Sequence, residues 1–542
     1  MSTEVLHASA ASDALRSRIC NWPLVEVACW LLFYVVALTL VHEFSHGPGN
    51  LHNDTLEAYA WGKELQLGYH KHPPFWAWVA YAWYLIFPAS DWAAYLLSSI
   101  NAAIGLCCTW LIGRRYLPDE QAMAAFLGLM ITAMYLCFAQ RFNANTVLMS
   151  LWPATTLAVL RAVDSNRLLD GMLAGVLAAL CLLSKYQSVL FLAPLGASVF
   201  FLKESAAPYV GRAALACYAI VLLMLLPHAV WLARHDYLPF VYAEITTGRP
   251  FAVVVREAVV FVLASLLFLG PAIFGYAWAA GRTHRSIWRA CRGAFRGDRR
   301  VPALLAFGTP VLTLAICLAR STTVKPAYAT PMFSMLPIWL AMAPGLPFDR
   351  AALVRIRRLA AGCIVASLII SPIAGGVAFA AHARLATRPK AEIARAVTAE
   401  WHRRYGTPLR IVAGDQDYAI AAPFYSPDHP SYLIGLDARE LTDFHIPLGG
   451  GISDPVLRQS PWVSREAIAR DGMAIVCSEE LWLSATGCDE EAAHWADPDT
   501  QRFDLKLAKR FLGMAGPAYE FHVYFLPPRI VPKPVHRLGP GV

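Results

Sequence analysis

The chain has 542 residues, of which 57% are hydrophobic and 15% charged, and its mean hydropathy is +0.45. A water-soluble domain carries about 25% charged residues, so the composition excludes an ordinary soluble enzyme. The net charge of +8 does not point to nucleic acid, because the arginines gather in short loops between apolar runs of bilayer-crossing length, about 17 to 25 residues.

Residues 1–23 are polar, with Arg16 and Arg18 just ahead of the first apolar run. No small-residue cleavage site follows a short apolar core, so the segment reads as a cytoplasmic N-terminus before a retained signal-anchor. Apolar runs then predict eleven crossings, at 24–42, 92–113, 121–139, 146–162, 168–184, 187–202, 211–233, 254–280, 302–319, 330–345 and 359–381. A further apolar stretch, 73–87, begins with Pro73-Pro74 and is crowded with Phe75, Trp76, Trp78, Tyr81, Trp83 and Tyr84. The positive-inside rule decides its placement. If 73–87 does not cross, the loops on the starting side carry 17 Lys or Arg and those on the far side 8. If it crossed alone, the seven arginines of 281–301 would lie outside. The stretch is therefore expected along the outer interface, where Trp and Tyr are favoured. A second unrecognised crossing would restore the same orientation, so the expected count is eleven to thirteen.

An odd number of crossings places 382–542 on the outer side, as a periplasmic domain. This tail alternates short apolar runs with turns, as in Leu409-Arg410-Ile411-Val412-Ala413-Gly414 and Met473-Ala474-Ile475-Val476-Cys477, and has a helical stretch at 389–404. It reads as a soluble α/β domain of about 150 residues. Ten of the twelve cysteines lie in or beside apolar runs, where cysteine acts as a small hydrophobe. Cys477 and Cys488 do not; in an oxidising compartment they either pair or stand as two free thiols.

The chemistry gathers in the first outer loop, 43–91. It reads His52-Asn53-Asp54-Thr55-Leu56-Glu57-Ala58-Tyr59-Ala60-Trp61-Gly62-Lys63 and then Gly68-Tyr69-His70-Lys71-His72-Pro73-Pro74. On a helix, the three-residue spacing puts Asp54 and Glu57 on one face. A carboxylate within hydrogen-bond reach can deprotonate an acceptor hydroxyl. A lysine can hold a phosphate and stabilise charge on a leaving group. The bland alternative is a solvated helix face with a snorkelling lysine. His52, His70 and His72, with the carboxylates nearby, leave a divalent cation open, although His70 and His72 alternate and do not stand at the i, i+4 spacing of paired helical ligands.

An acidic pair after the first span, followed by lysine, Pro-Pro and aromatics, resembles the first periplasmic loop of the GT-C glycosyltransferase superfamily. Within it the chain is similar to the bacterial branch of the protein O-mannosyltransferase clan, which includes the lipid A aminoarabinose transferase and the lipopolysaccharide galacturonosyltransferases. The usual lysine stands directly before Pro-Pro; here the order is Lys71-His72-Pro73-Pro74. In Phe142-Asn143-Ala144-Asn145-Thr146, Asn145 replaces an aspartate that many relatives carry. Ser184-Lys185-Tyr186-Gln187 resembles the family's lysine between packed spans, and Thr322-Thr323-Val324-Lys325-Pro326-Ala327-Tyr328 its late, phosphate-contacting loop. Phe424-Tyr425-Ser426-Pro427-Asp428-His429-Pro430 is similar to the galacturonosyltransferase-like branch.

The resemblance implies a transmembrane GT-C module over 24–381 that takes a sugar, galacturonic acid or a similar hexose, from a polyprenyl phosphate. The acceptor is lipid A, lipopolysaccharide or another envelope glycan on the periplasmic side of the inner membrane, and the anomeric centre inverts. Asp54, helped by Glu57, is the expected base. Lys71, Lys325, Tyr328, Tyr59, Asn145, Lys185 and His72 are the expected contacts for substrate and lipid phosphate. No cofactor is implied beyond the cation left open above. The rivals are a transporter or flippase, which needs ionisable groups and broken helices at mid-membrane, and a protein O-glycosyltransferase.

Overall fold

The computed structural model describes residues 3–203, 205–245, 247–279, 297–343, 349–434, 455–479 and 488–529, with the side chains of the first helix described from Pro23 onward. Most of the arginine-rich loop expected at 281–301 lies outside the described residues.

The helices in chain order are α1 Thr3–His46, α2 Asn53–Gly62, α3 Phe75–Tyr84, α4 Asp91–Tyr116, α5 Asp119–Met130, α6 Leu148–Ser165, α7 Leu168–Ser184, α8 Ser188–Lys203, α9 Arg212–Arg234, α10 Leu238–Ile245 and α11 Phe251–Ala279. They continue with α12 Arg300–Ala319, α13 Leu336–Ala341, α14 Arg350–Ala380 and α15 Lys390–Tyr405. Among the described residues, six segments are long and apolar enough to cross a bilayer: Pro23–Ser45 in α1, then α4, α9, α11, Gly297–Ala319 and α14. α7 and α8 are shorter apolar helices. Large apolar side chains stand exposed on these segments, among them Leu32, Leu222, Leu267 and Ile370. A belt of that kind is stable facing lipid and costly facing water. The chain is a multi-pass helical membrane protein.

Two expected crossings are interrupted. The run 121–139 is helical only to Met130, turns at 131–132, and resumes as a π-helical turn, Met134–Phe138. In that π-helical turn the Tyr135 carbonyl accepts from the buried Tyr34 hydroxyl of α1 at 2.5 Å. The run 330–345 keeps one short helix, α13. Pro331 lies in the turn ahead of it and Pro337 in its first turn, where a missing backbone donor is tolerated. The stretch 73–87 forms α3, whose ten residues rise about 15 Å, half of a hydrocarbon core of roughly 30 Å. α3 lies against α2 at close range: a Cβ on Gly62 would meet the Ala77 carbonyl oxygen at 2.2 Å.

Glu26 of α1 accepts two hydrogen bonds of 2.6 Å from Arg357 of α14, and the pair ties the two helices together.

The C-terminal region carries a five-stranded sheet in the order β2-β1-β3-β5-β4, with β1 Ile411–Gly414, β2 Ser431–Tyr432, β3 Met473–Ser478, β4 Gln501–Phe511 and β5 Met514–Leu526. β1 runs parallel to β2 and β3, whereas β5 is antiparallel to β3 and β4. β1 and β3 are buried throughout, and α15 covers one face, with Trp401 packed on Phe525. Cys477 and Cys488 form a disulfide. The tip of the β4–β5 hairpin returns to the helices, where Phe511 packs on Phe379 of α14.

Candidate active site

The site grows from the start of α2. His52 caps the helix, its Nδ1 accepting from the Asp54 N–H at 3.2 Å. That bond needs a bare Nδ1. Loss of hydration supplies one by lowering the imidazole pKa to about 4; Asp54 opposes the shift, and Arg141 and Lys390 add to it. Asp54 sits in the first turn, where the helix N-terminus favours a carboxylate. Its side chain is half exposed, so it is open to a substrate.

Asn143 holds Asp54 from the second loop, donating from Nδ2 to Oδ2 at 3.0 Å. The orientation of that amide is fixed locally. Its Oδ1 accepts from the backbone N–H groups of Asn145 and Thr146, at 2.8 and 3.0 Å, so Nδ2 must point outward. The Thr146 hydroxyl closes the turn by donating to the Arg141 carbonyl at 2.6 Å. Asn143 was not singled out from the sequence, yet an Asn followed closely by Thr in a loop is a turn signal.

Glu57, one turn along α2, forms an ion pair with Lys71 at 2.8 Å, both side chains being largely buried. The Lys71 ammonium also lies 5.2 Å from the centre of the Trp61 ring. Glu57, expected to assist Asp54, here meets Lys71.

Lys185, between α7 and α8, reaches into the same place. It donates to Asn145 Oδ1 and its ammonium lies 4.2 Å from the centre of the Tyr328 ring. Burial lowers its pKa to about 7, with Lys325 adding to the effect and Asp54 opposing it. Asp54, Lys185 and Lys325 therefore share one electrostatic neighbourhood, although they come from three separate loops. Lys325 is exposed, just ahead of a short 3₁₀ turn at Pro326–Ala329. His72 is kept neutral by burial and by the nearby charges of Lys185 and Lys71.

Two expectations meet a different environment. Tyr59 faces the C-terminal region: its hydroxyl is 3.3 Å from His429 Nδ1 and its ring packs on Tyr84 and Phe424. A packing role replaces the expected substrate contact. His70 is buried against Trp61 and Tyr242, while His52 is the helix cap. Among the described residues no group of three or more His, Cys, Asp or Glu is arranged to hold a metal ion.

The segment 424–430 ties the C-terminal region to the first outer loop. The Tyr425 hydroxyl donates to Asp91 at 2.9 Å and accepts from the Leu51 N–H at 3.0 Å. The His429 carbonyl accepts from Lys63.

Known proteins agree with this architecture. The family model described as dolichyl-phosphate-mannose-protein mannosyltransferase matches residues 71–231, which begin after α2. The lipopolysaccharide core galacturonosyltransferase RgtA of Rhizobium johnstonii is 25% identical over 68% of this chain and 74% of its own length. The lipid A galacturonosyltransferase RgtD of the same organism is 26% identical over 51% of this chain and 56% of its own length. The structure of ArnT from Cupriavidus metallidurans bound to undecaprenyl phosphate superposes with a TM-score of 0.59 at 14% identity, covering 93% of this chain and 98% of that one. The chain is thus a multi-pass membrane protein that shares the fold of ArnT and is similar in sequence to these glycosyltransferases.

Proposed function

We propose that this enzyme transfers a sugar, galacturonic acid or a similar hexose, from a polyprenyl phosphate to lipid A, lipopolysaccharide or another envelope glycan. The reaction takes place on the periplasmic side of the bacterial inner membrane. The N-terminus then lies in the cytoplasm and the C-terminal domain in the periplasm, in keeping with the bias of Lys and Arg between loops. The convergence of Asp54, Lys185, Lys325 and Tyr328 from separate loops carries this reading. It puts an open carboxylate beside a cluster of cations, as transfer from a lipid phosphate requires. The relatives named for galacturonosyl transfer and the undecaprenyl phosphate bound to ArnT support the substrate classes.

In this scheme the donor phosphate is held by Lys325 and Lys185, with Lys71 at the edge, held in place by Glu57. Asp54 takes the proton of the acceptor hydroxyl. The oxygen attacks the anomeric carbon opposite the phosphate, the carbon–oxygen bond to phosphate breaks, and its electron pair leaves on the phosphate with inversion. Arg141 lies close enough to His52 to lower its pKa, and a guanidinium suits the carboxylate of a uronic acid. Purified wild type and Asp54→Asn would be given radiolabelled polyprenyl-phosphate sugars with an outer-membrane glycolipid acceptor. Label entering glycolipid with wild type alone supports the scheme and names the sugar. Transfer that survives Asp54→Asn removes Asp54 as base. Transfer from none of the donors by folded wild type removes the reading.

A further inference from the structure

The turn that leads into α2 is stitched to the C-terminal region almost residue by residue. The Gly49 carbonyl accepts from the Ala391 N–H at 3.1 Å, and Asn50 Nδ2 donates to the Leu385 carbonyl at 2.7 Å. Gly49 has φ +81°, and a Cβ there would meet the Ala391 Cβ at 2.6 Å, so the approach needs glycine on both counts. At the centre is Lys390, the first residue of α15 and only 4% exposed. Its ammonium donates to the Leu51 carbonyl at 2.9 Å and to Asn53 Oδ1 at 2.6 Å. Asn53 Nδ2 donates in turn to Asp417, whose other oxygen pairs with Arg388 at 2.9 Å. The two lysine bonds fall on either side of the helix-capping His52, and Asn53 is the residue before Asp54.

We propose that Lys390 is a positioning residue for glycosyl transfer: from the C-terminal domain it fixes the backbone at 51–53, and with it the place of Asp54 in the cleft. The carboxylate is then held from two sides, its backbone by Lys390 and its side chain by Asn143. Burying a lysine is costly, and here burial lowers its pKa to about 7 against the attraction of Asp417. Such a cost is tolerated where the hydrogen bonds set a geometry. A displacement of about 1 Å at a reacting group can lower turnover about 100-fold.

The inference rests on Asp54 being the base of the proposed reaction, so its test has a readout apart from turnover. In full-length protein, Lys390→Ala is expected to raise amide hydrogen exchange over residues 53–57 at least about 10-fold. It should lower kcat by roughly 100-fold with donor KM within about 3-fold, and added alkylammonium should restore kcat where the matching alcohol does not. A merely structural lysine would lower thermal stability without amine-specific recovery of kcat. Should Lys390→Ala fail to fold, Asn53→Ala removes one of the same bonds from the α2 side and is expected to show the same pattern. Wild-type exchange over 53–57, or kcat within about 2-fold of wild type in a folded variant, overturns the proposal. Wild type that moves no sugar sinks the proposed reaction, while the exchange result still decides the clamp.

Discussion

The two sides of α2 are built on different terms. On the cleft side, Asp54 is half exposed and Lys325 exposed, while Glu57 and Lys71 are closed on each other. On the domain side, Asn53, Tyr59 and Lys63 all meet C-terminal residues. A surface that must receive a charged substrate keeps charge available, and a surface that must hold a position uses its polar groups up. The contrast assigns the cleft to chemistry and the domain to geometry. Each can be broken separately.

Breaking the cleft should cost most at Asp54. Asp54→Asn keeps the size and one acceptor oxygen but removes the base, so kcat is expected to fall about 1,000-fold. Circular dichroism and elution volume should match wild type. Preserved transfer would move the base elsewhere and dissolve the contrast.

Lys185 comes next. Lys185→Met is expected to lower kcat/KM for the donor about 100-fold, the scale of removing one preorganised group that stabilises developing charge. Its pKa of about 7 gives the pH dependence a sign. Below that pH the free enzyme carries the ammonium that meets the phosphate; above it the amine is neutral, so donor kcat/KM should fall as pH rises through 7. Lys185→Arg, charged throughout, should remove that decline. A wild-type profile that is flat from pH 6 to 9 would show that Lys185 does not meet the phosphate.

Sequence made some of this legible and not the rest, for physical reasons. Apolar runs of bilayer length report the membrane architecture, because the thickness of the bilayer imposes them. The helical spacing of Asp54 and Glu57 was also readable, since a helix fixes which of its own residues share a face. Which group each carboxylate meets was not. Lys71 reaches Glu57 after the chain has turned back, and Asn143 meets Asp54 from another loop. The break at 131–132 was hidden because an apolar run reads the same whether or not the helix continues, and the Tyr34 hydroxyl that meets the Tyr135 carbonyl just beyond it comes from α1. Lys390 gave no signal at all: a lysine opening an amphipathic helix in a soluble domain reads as solvated until the fold buries it.

The Glu57–Lys71 pair tests whether the cleft is uniformly open. Removing one partner of a largely buried pair leaves a charge without its counter-ion and costs about 3–5 kcal/mol, whereas removing both costs much less. Glu57→Gln and Lys71→Met should each lower the unfolding midpoint, and the double variant should recover much of the loss. Additive losses would show that the two groups act separately, leaving Glu57 able to serve Asp54 after all.

The smallest effect is expected on the domain side, at Tyr425. Tyr425→Phe deletes the hydroxyl that joins Asp91 to the Leu51 N–H and leaves the ring packed on Phe424. Asp91 keeps the Gly49 N–H at 2.7 Å, so the cost is that of one weakened buried network, about 2 kcal/mol. The Leu51 carbonyl and Asn53 remain bound to Lys390, so the entry to α2 should stay in place. A lower unfolding midpoint with kcat within about 3-fold of wild type is expected. Set beside Lys390→Ala, this variant separates gluing the domain on from aiming Asp54. If Tyr425→Phe lowered kcat as far as Lys390→Ala, positioning would belong to the whole interface, and the lysine would be one stitch among several.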